Sequence, residues 1–358
     1  MGRDIFCFQR VGSIQRLLQQ GCITAGLLLI GACAPSPSSS PAPDPIPTAV
    51  VETVPPIPEA PRVDVESPAD AARTLNALGL DVYKRFSNEA GNLCLSPISI
   101  GATLACILEG ARGDTAQEIE AAMGLAPGHR IGMGYQRLLD DLKGRNSLLC
   151  QVNLANALVY QGNISLDPEF ASRLDILYRS TTLSTDFVAN PDGARREINA
   201  WVSDNTAGKI RNFLGSRDTK VDTRFLLTSA LGLDAAWETV FPLNQTRNAA
   251  FLLQEGEAVV APMMHQKSHV AASLGSRLLQ VLRLPYAGKH LEMVLFLPGE
   301  ETSLHTLESM LSPDQLETWL ERCEVSEVNV YLPRFTVDSG YYLDKALKEL
   351  GIDCAFEA

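Results

Sequence analysis

The sequence lacks the features by which nucleic-acid-binding and metal-dependent proteins are usually recognised. It has no run of five Lys or Arg residues, and 42 acidic against 30 basic residues give a net charge of −12 at pH 7. Because nucleic-acid phosphates require a positive surface, this charge argues against such a partner. The sequence also has no Cys-x-x-Cys pair and no His-Glu-x-x-His motif. The common zinc sites are therefore not indicated.

Motifs of catalysis are missing as well. We find no Gly-x-Ser-x-Gly turn and no phosphate-binding loop around Lys209 or Lys289. A Ser-His-Asp triad converges only in space, and nothing in the chain positively suggests one. His265 and His269 could be two metal ligands on a helical turn, but a site needs three or four ligands. Two surface histidines near a strand end are the alternative. We predict no catalytic residue, metal or cofactor.

The chain has no apolar run long enough for a normal membrane span. Its longest N-terminal run, residues 23–32, follows Arg3, Arg10 and Arg16. A basic flank, a short apolar stretch and small residues together indicate an export signal. The segment Ile30-Gly31-Ala32-Cys33 resembles the bacterial lipobox, in which the cysteine is acylated and becomes the new N-terminus. An ordinary secretory signal, cut after Ala32 or a little later, is the alternative.

Proline is concentrated in one segment. Residues 34–68 hold 11 of the 21 prolines of the chain. Such a stretch cannot bury enough apolar surface to fold, and proline biases it toward extended conformations. We therefore divide the chain into an export signal with a lipobox (1–33), a Pro/Ser-rich disordered tether (34–68) and a folded domain (69–358). In this scheme Cys33 carries the lipid and the tether holds the domain away from a membrane.

The folded domain has clear helix signals. Ser96-Pro97 and Ser312-Pro313 each combine a hydroxyl cap with a proline at the first helical position. Residues 98–108 are apolar on nearly every face, which predicts a deeply buried helix. Thr115–Glu118 forms a capping box that predicts another helix start.

Strand signals are strongest in the middle and later parts of the domain. Residues 150–162 alternate and are rich in branched side chains, and two strands are predicted about the turn at 286–289. Residues 225–237 are apolar and ambiguous by periodicity alone. A further strand at 328–335 contains Pro333, which suggests a bend or the end of the strand. Without regular β-α-β alternation, the pattern indicates an α+β domain.

Five of the eight cysteines lie in the folded domain, at Cys94, Cys106, Cys150, Cys323 and Cys354. An odd number without close spacing indicates neither a disulfide framework nor a zinc site. Their neighbours are mostly apolar, so we expect small buried hydrophobic residues.

Several segments together resemble one family, the serpins, and they follow the order that the family shows. The segments are NLCLSPISIGATLACILEGARGDTAQEI, NLANALVYQG, INAWVSDNTAGKI, APMMHQ, LRLPYAGKHLEMVLFLPG and VYLPRFTVDSGYYLDKALKELGI. The resemblance implies helices packed around a large central mixed β-sheet, with further smaller sheets. It also implies a monomeric protease inhibitor rather than an enzyme. The partner would be a serine protease, or a cysteine protease, which attacks an exposed loop that then inserts into the central sheet.

The resemblance also implies roles for individual residues. Ser96 and Ser99 match hydroxyls beneath the place where the sheet opens, although an N-cap and a small first-turn residue explain them equally well. Trp237 matches a tryptophan where the loop first enters the sheet; simple core burial is the alternative. Ser229 stands where asparagine is usual, and Asp234-Ala235 stand where Lys-Gly is usual. Because serine forms fewer hydrogen bonds than asparagine, sheet opening could be tuned differently.

The resemblance implies that the C-terminal strands and the reactive loop follow residue 358. We therefore expect this chain to lack the bond that a protease would cut, and its target is not readable from the sequence. Two alternatives to an inhibitor remain. One is an inactive truncated product, and the other is a non-inhibitory serpin-like binding or structural lipoprotein.

The first prediction concerns Cys33. Its position directly after Ile30-Gly31-Ala32 predicts acylation, so metabolic labelling with a fatty acid in the native host should mark the wild type. Cys33→Ala should remain unlabelled, whereas Cys22→Ala should be labelled normally. Equal labelling of the wild type and Cys33→Ala would contradict the lipobox and favour an ordinary secretory signal.

Overall fold

The structure, a computed structural model, describes residues 8–10, 23–30, 63–88, 91–252, 258–335 and 341–356. For residues 8–10, 23–30 and 268–273 it describes the backbone alone. Cys33 and the tether as far as residue 62 lie outside the described residues. Among the helices that are described, none is both long enough and apolar enough to cross a membrane.

The helices lie mostly in the first half of the folded domain. They are α1 (Pro68–Phe86), α2 (Pro97–Gly110), α3 (Gly113–Ala122), α4 (Gly132–Gly144), α5 (Pro168–Tyr178), α6 (Pro191–Asn205), α7 (Leu304–Ser309), α8 (Pro313–Glu321) and α9 (Asp344–Lys348). Short 3₁₀ turns occur at Leu243–Gln245 and Cys354–Phe356.

The predicted Ser-Pro helix starts are confirmed. The hydroxyl of Ser96 accepts a hydrogen bond from the Ser99 amide at 3.4 Å, and that of Ser312 accepts one from the Gln315 amide at 3.1 Å. The capping box at 115–118 is wrong as a helix start, because α3 begins at Gly113 without a side-chain cap. Gly113 has a φ of +57°. This left-handed conformation, which glycine adopts readily, lets the chain turn into α3 directly after α2.

The strands form two larger sheets and two short pairs. They are β1 (Phe8–Arg10), β2 (Ile23–Ile30), β3 (Val63–Asp64), β4 (Leu93–Leu95), β5 (His129–Arg130), β6 (Cys150–Gln161), β7 (Ser180–Thr185), β8 (Phe225–Ala235), β9 (Arg247–Leu252), β10 (Ala258–Gly275), β11 (Leu279–Pro285), β12 (Glu292–Pro298) and β13 (Glu324–Pro333). The central sheet has the order β2-β8-β6-β7 and is mixed, because β6 and β7 are parallel whereas the other pairs are antiparallel.

The second sheet has the order β12-β11-β10-β13, with β9 also paired to β10, and β1–β4 and β3–β5 form the short pairs. The structure resolves the ambiguous run at 225–237 as a strand, β8. The strands predicted about residues 286–289 are confirmed as β11 and β12, and β13 ends at Pro333 as its sequence suggested.

The two faces of the central sheet are covered by different helices. Leu158 and Leu227 project into the large apolar cluster that contains the core residues of α2. Ala157 and Leu226, one residue away along each strand, project into a second cluster with Ile198 of α6. Successive side chains of a strand point to opposite faces, so α2 and α6 enclose the sheet between them.

The prediction of buried cysteines is confirmed for three of the five in the folded domain. Cys94, Cys106 and Cys150 are buried, whereas Cys323 and Cys354 are half-buried. The three buried side chains fill space in the core.

The second prediction tests the close contact of α1 and α2. A Cβ atom added at Gly79 would lie 2.4 Å from Cβ and Cγ of Pro97, whose ring cannot move aside. Gly79→Ala should therefore lower the free energy of unfolding by about 1–3 kcal/mol, the usual cost of overpacking. Gly144→Ala is the matched control, because a Cβ there meets nothing within 4 Å. It should leave stability unchanged or raise it by about 0.5 kcal/mol. If urea denaturation showed that the two substitutions change the free energy of unfolding equally, the close contact of α1 and α2 at Gly79 would be contradicted.

Candidate functional site

The first part of the candidate site lies at the start of α2. Ser96 donates a hydrogen bond from Oγ to Oγ of Ser99 at 3.0 Å, and both residues are buried. Thr103, one turn further along, donates its hydroxyl to the Ser99 carbonyl at 3.0 Å. The first two turns of α2 thus carry three buried hydroxyls beneath the central sheet.

A row of polar residues crosses the sheet itself. Asn156 of β6 lies opposite Ser229 of β8 on one side and opposite Ser180 of β7 on the other. All three are buried. Asn156 and Ser229 share a sheet face with Leu158 and Leu227, which is the face that packs toward α2. We call these three residues the polar row.

The polar row has hydrogen-bonding capacity that its neighbours do not use. Asn156 donates from Nδ2 to the Tyr178 carbonyl at 2.9 Å. Among the described residues, Oδ1 of Asn156 and the hydroxyls of Ser180 and Ser229 have no hydrogen-bond partner. A buried polar atom without a partner costs on the order of 1–3 kcal/mol. A new donor or acceptor reaching this part of the sheet would therefore be stabilised.

The polar row is connected to a buried acidic residue. Tyr178, which binds Asn156 through its carbonyl, donates its hydroxyl to Oε1 of Glu109 at 2.9 Å. Arg173 donates from Nε and Nη2 to Oε2 of the same carboxylate at 2.8 and 2.6 Å. The Glu109 side chain is fully buried, and this two-fold contact compensates its charge. Burial, with a further contribution from Glu109, raises the pKa of Tyr178 well above 10.0.

Trp237 lies apart from the polar row. It follows the end of β8, where its ring stacks on Tyr286 with a centroid distance of 4.8 Å and meets the edge of Phe241 at 5.7 Å. Eight residues separate it from Ser229 along an extended chain, which corresponds to roughly 26 Å. Trp237 therefore marks the end of β8, whereas Ser229 marks its middle.

The position beside β8 holds a strand. The backbone of β2 pairs antiparallel with β8, from Ile23 opposite Gly232 to Ile30 opposite Phe225. This strand comes from the segment that the sequence predicts to be part of the export signal. The edge of β8 can thus form a ladder of backbone hydrogen bonds with a further strand over most of its length.

The structure brings some predicted residues together and adds others. Ser96 and Ser99 are in contact, and Ser229 lies on the sheet face toward their helix. Sequence reasoning missed Asn156 and Ser180 as members of the site. The available signal was an asparagine inside the apolar run 154–159 of a predicted strand, because a buried polar residue in such a run needs a partner.

The histidines do not form a metal site within the described residues. His265 and His269 lie in β10, so the helical turn considered for them is wrong. His265 bonds through Nδ1 to Oε1 of Gln245 at 3.1 Å and stacks on Tyr331. The side chain of His269 lies outside the described residues. In the part of the chain that the structure describes, no group of three His, Cys, Asp or Glu residues could hold a metal ion.

Comparison with known protein families decides the assignment. The family model described as serpin (serine protease inhibitor) matches residues 73–358. The chain belongs to the serpin family. A leukocyte elastase inhibitor of Bos taurus is 35% identical over 295 residues, which cover 80% of this chain and 78% of that protein. A serpin-like protein of Thermococcus kodakarensis is 33% identical, with 79% of this chain and 65% of that protein covered.

Solved structures agree with the serpin fold. Emu ovalbumin is similar with a TM-score of 0.73 and 25% identity, covering 79% of this chain and 78% of that one. Lamprey angiotensinogen with a cleaved reaction loop has a TM-score of 0.72 and 26% identity, covering 80% of this chain and 85% of that one. The predicted α+β serpin fold is confirmed. The family model is described as a serine protease inhibitor, and the Bos taurus relative is named as an inhibitor rather than as an enzyme.

The third prediction uses the raised pKa of Tyr178. Above about pH 10 the unfolded state releases the phenol proton while the folded state keeps it, because burial raises this pKa. The contribution of Tyr178 to the free energy of unfolding should therefore be constant below about pH 10 and fall above it. Tyr178→Phe should lower stability at pH 7 by about 1–3 kcal/mol, since Glu109 loses a donor, but should show a weaker fall between about pH 10 and 11.5.

Tyr331→Phe provides the control for this experiment, because Tyr331 is exposed. Its stability should follow the wild-type pH profile. Urea denaturation at several pH values measures the free energy of unfolding of the wild type, Tyr178→Phe and Tyr331→Phe. If the free energy of unfolding of Tyr178→Phe fell as steeply above about pH 10 as that of the wild type, the raised pKa would not belong to Tyr178.

Proposed function

We propose that this serpin inhibits a serine protease, or a cysteine protease, by offering a loop as substrate and inserting the cut loop as a strand beside β8. The observation that carries the proposal is the 35% identity to a leukocyte elastase inhibitor over 80% of the chain. An elastase-type serine protease is accordingly the first target to test.

The geometry of the central sheet supports this mechanism. The edge of β8 pairs with the backbone of β2 over eight residues, so this edge can pair with a strand, and an inserted loop would take the place of β2. The polar row ends at Ser229, on this same strand, with unused hydrogen-bonding capacity. An inserted strand would gain backbone hydrogen bonds along β8 and could supply polar partners to the row.

One feature is consistent with a modified insertion step. Ser229 replaces the asparagine implied by the family pattern and offers one hydroxyl in place of an amide group. The roles of Ser96, Ser99, Ser229 and Trp237 in sheet opening are part of this proposal. Removing the Ser229 hydroxyl would remove an unsatisfied buried group, whereas removing the Ser96 hydroxyl would remove a helix cap.

A second candidate is a non-inhibitory serpin-like binding or structural protein. Two of the solved structures that the fold resembles are ovalbumin and angiotensinogen, and neither name describes an inhibitor. In this alternative the fold is used as a stable scaffold, and strand insertion does not trap a protease.

We also propose that the protein is exported, acts as a monomer and is held at the cell envelope by a lipid on Cys33. The support is the basic and apolar N-terminal segment, the small residues before Cys33 and the proline-rich stretch behind it. Membrane contact would then pass through the lipid alone.

The fourth prediction tests inhibition directly. The protein expressed from its complete coding sequence should form a complex with an elastase-type serine protease that survives boiling in detergent, because a covalent acyl link joins the two chains. Denaturing gel electrophoresis and mass spectrometry measure the complex. The control is the same protease with its catalytic serine chemically blocked, which should form none.

Two outcomes would favour the second candidate. One is complete digestion of the protein without a stable complex across a panel of serine and cysteine proteases. The other is reversible binding that is lost in detergent. A complex with the active protease and none with the blocked protease would support inhibition by acyl trapping.

A further inference from the structure

One departure from the family pattern forms a specific contact. Asp234, near the end of β8, lies where the resemblance implies lysine, and its Oδ2 is 3.0 Å from Nζ of Lys209. The Lys209 side chain is 24% exposed and the Asp234 side chain 63% exposed. Because the lysine stem is largely covered, the ammonium group is held at one place on the surface.

Lys209 belongs to the segment that follows α6. We call residues 206–214 the α6 tail. Asn199 of α6 holds this tail with two hydrogen bonds to Leu214, from Nδ2 to the carbonyl at 3.0 Å and to Oδ1 from the amide at 2.7 Å. The buried Thr206 hydroxyl donates a hydrogen bond to the Val202 carbonyl of α6 at 2.7 Å and accepts one from the Ile210 amide at 3.2 Å. The tail is therefore fastened to its own helix at both ends.

The α6 tail also packs on the central sheet. Ile210 and Leu214 are buried in the cluster that contains Leu226 and Ala230 of β8. These apolar contacts lie along the first half of β8. The Lys209–Asp234 ion pair extends the attachment to the last residues of the strand, beyond Gly232, where pairing with β2 ends.

We propose that Lys209 and Asp234 are positioning residues that hold the α6 tail on the end of β8 and so slow the insertion of a strand there. This inference rests on the proposed function. Adding a strand to a twisted sheet requires the layers packed on that sheet to shift. The α6 tail is part of the layer that covers β8, so its contacts with β8 must then break or move. The Lys209–Asp234 ion pair is such a contact, at the end of β8 that lies nearest Trp237.

The first measurement needs no protease. Asp234→Asn keeps the shape of the side chain and removes its charge. Hydrogen exchange followed by mass spectrometry should show roughly two- to fivefold faster exchange in residues 206–214, the range expected for losing a partly exposed ion pair. The difference should shrink at 1 M salt, where screening weakens the pair. The double exchange Lys209→Asp with Asp234→Lys should restore slow exchange.

Glu327→Gln is the matched control. Glu327 forms a surface ion pair with Lys267 on the other sheet, so its loss should leave exchange in residues 206–214 unchanged. Equal exchange of Asp234→Asn and the wild type at low salt would overturn the proposal, and so would equal acceleration in Glu327→Gln.

The second measurement is the rate of formation of the detergent-stable protease complex. Asp234→Asn should form it roughly two- to fivefold faster than the wild type, and the charge-exchanged double variant should return toward the wild-type rate. If hydrogen exchange in the α6 tail is faster in Asp234→Asn but the complex forms at the wild-type rate, the proposal that this pair controls insertion is overturned. If neither protein forms a complex, the proposed function fails, while faster exchange in Asp234→Asn would still support attachment of the tail.

Discussion

The structure depends on covering both faces of the antiparallel pair of β6 and β8. Eleven residue pairs join these strands, from Cys150 opposite Ala235 to Tyr160 opposite Phe225. A sheet with apolar side chains on both faces is stable only between two layers. Here α2 supplies one layer and α6 the other. The residue-by-residue alternation of the two strands decides which side chain meets which helix.

Burying polar groups between α2, the central sheet and α6 costs free energy, and the surrounding contacts offset this cost in part. The buried carboxylate of Glu109 has its charge balanced by Arg173 and accepts a hydrogen bond from the hydroxyl of Tyr178. Asn156 is held by the carbonyl of the same tyrosine, yet one of its atoms stays without a partner among the described residues. A region that is well packed but incompletely hydrogen-bonded is a suitable place for a strand to be added, because new bonds then offset an existing cost.

Local signals were reliable for the Ser-Pro helix starts and for the end of β13. The start of α2 at Ser96 follows from a hydroxyl and a proline in sequence, and the end of β13 follows from Pro333, which has no amide to donate. The predicted start of α3 failed, because a glycine with positive φ two residues earlier outweighed the capping box at Thr115. The run at 225–237 stayed ambiguous in the sequence because a buried strand and a buried helix share the same apolar composition.

By itself, the sequence determined the class of the domain, its family resemblance and the hydroxyl pair at Ser96 and Ser99, because these depend on short-range order. Only the tertiary structure decided that Asn156 and Ser180 join Ser229 in one row, and that Asp234 meets Lys209. Strand register and the packing of α6 bring together residues that lie far apart in the chain. Such contacts arise from the simultaneous burial of many side chains, and a local pattern of residues does not contain that information.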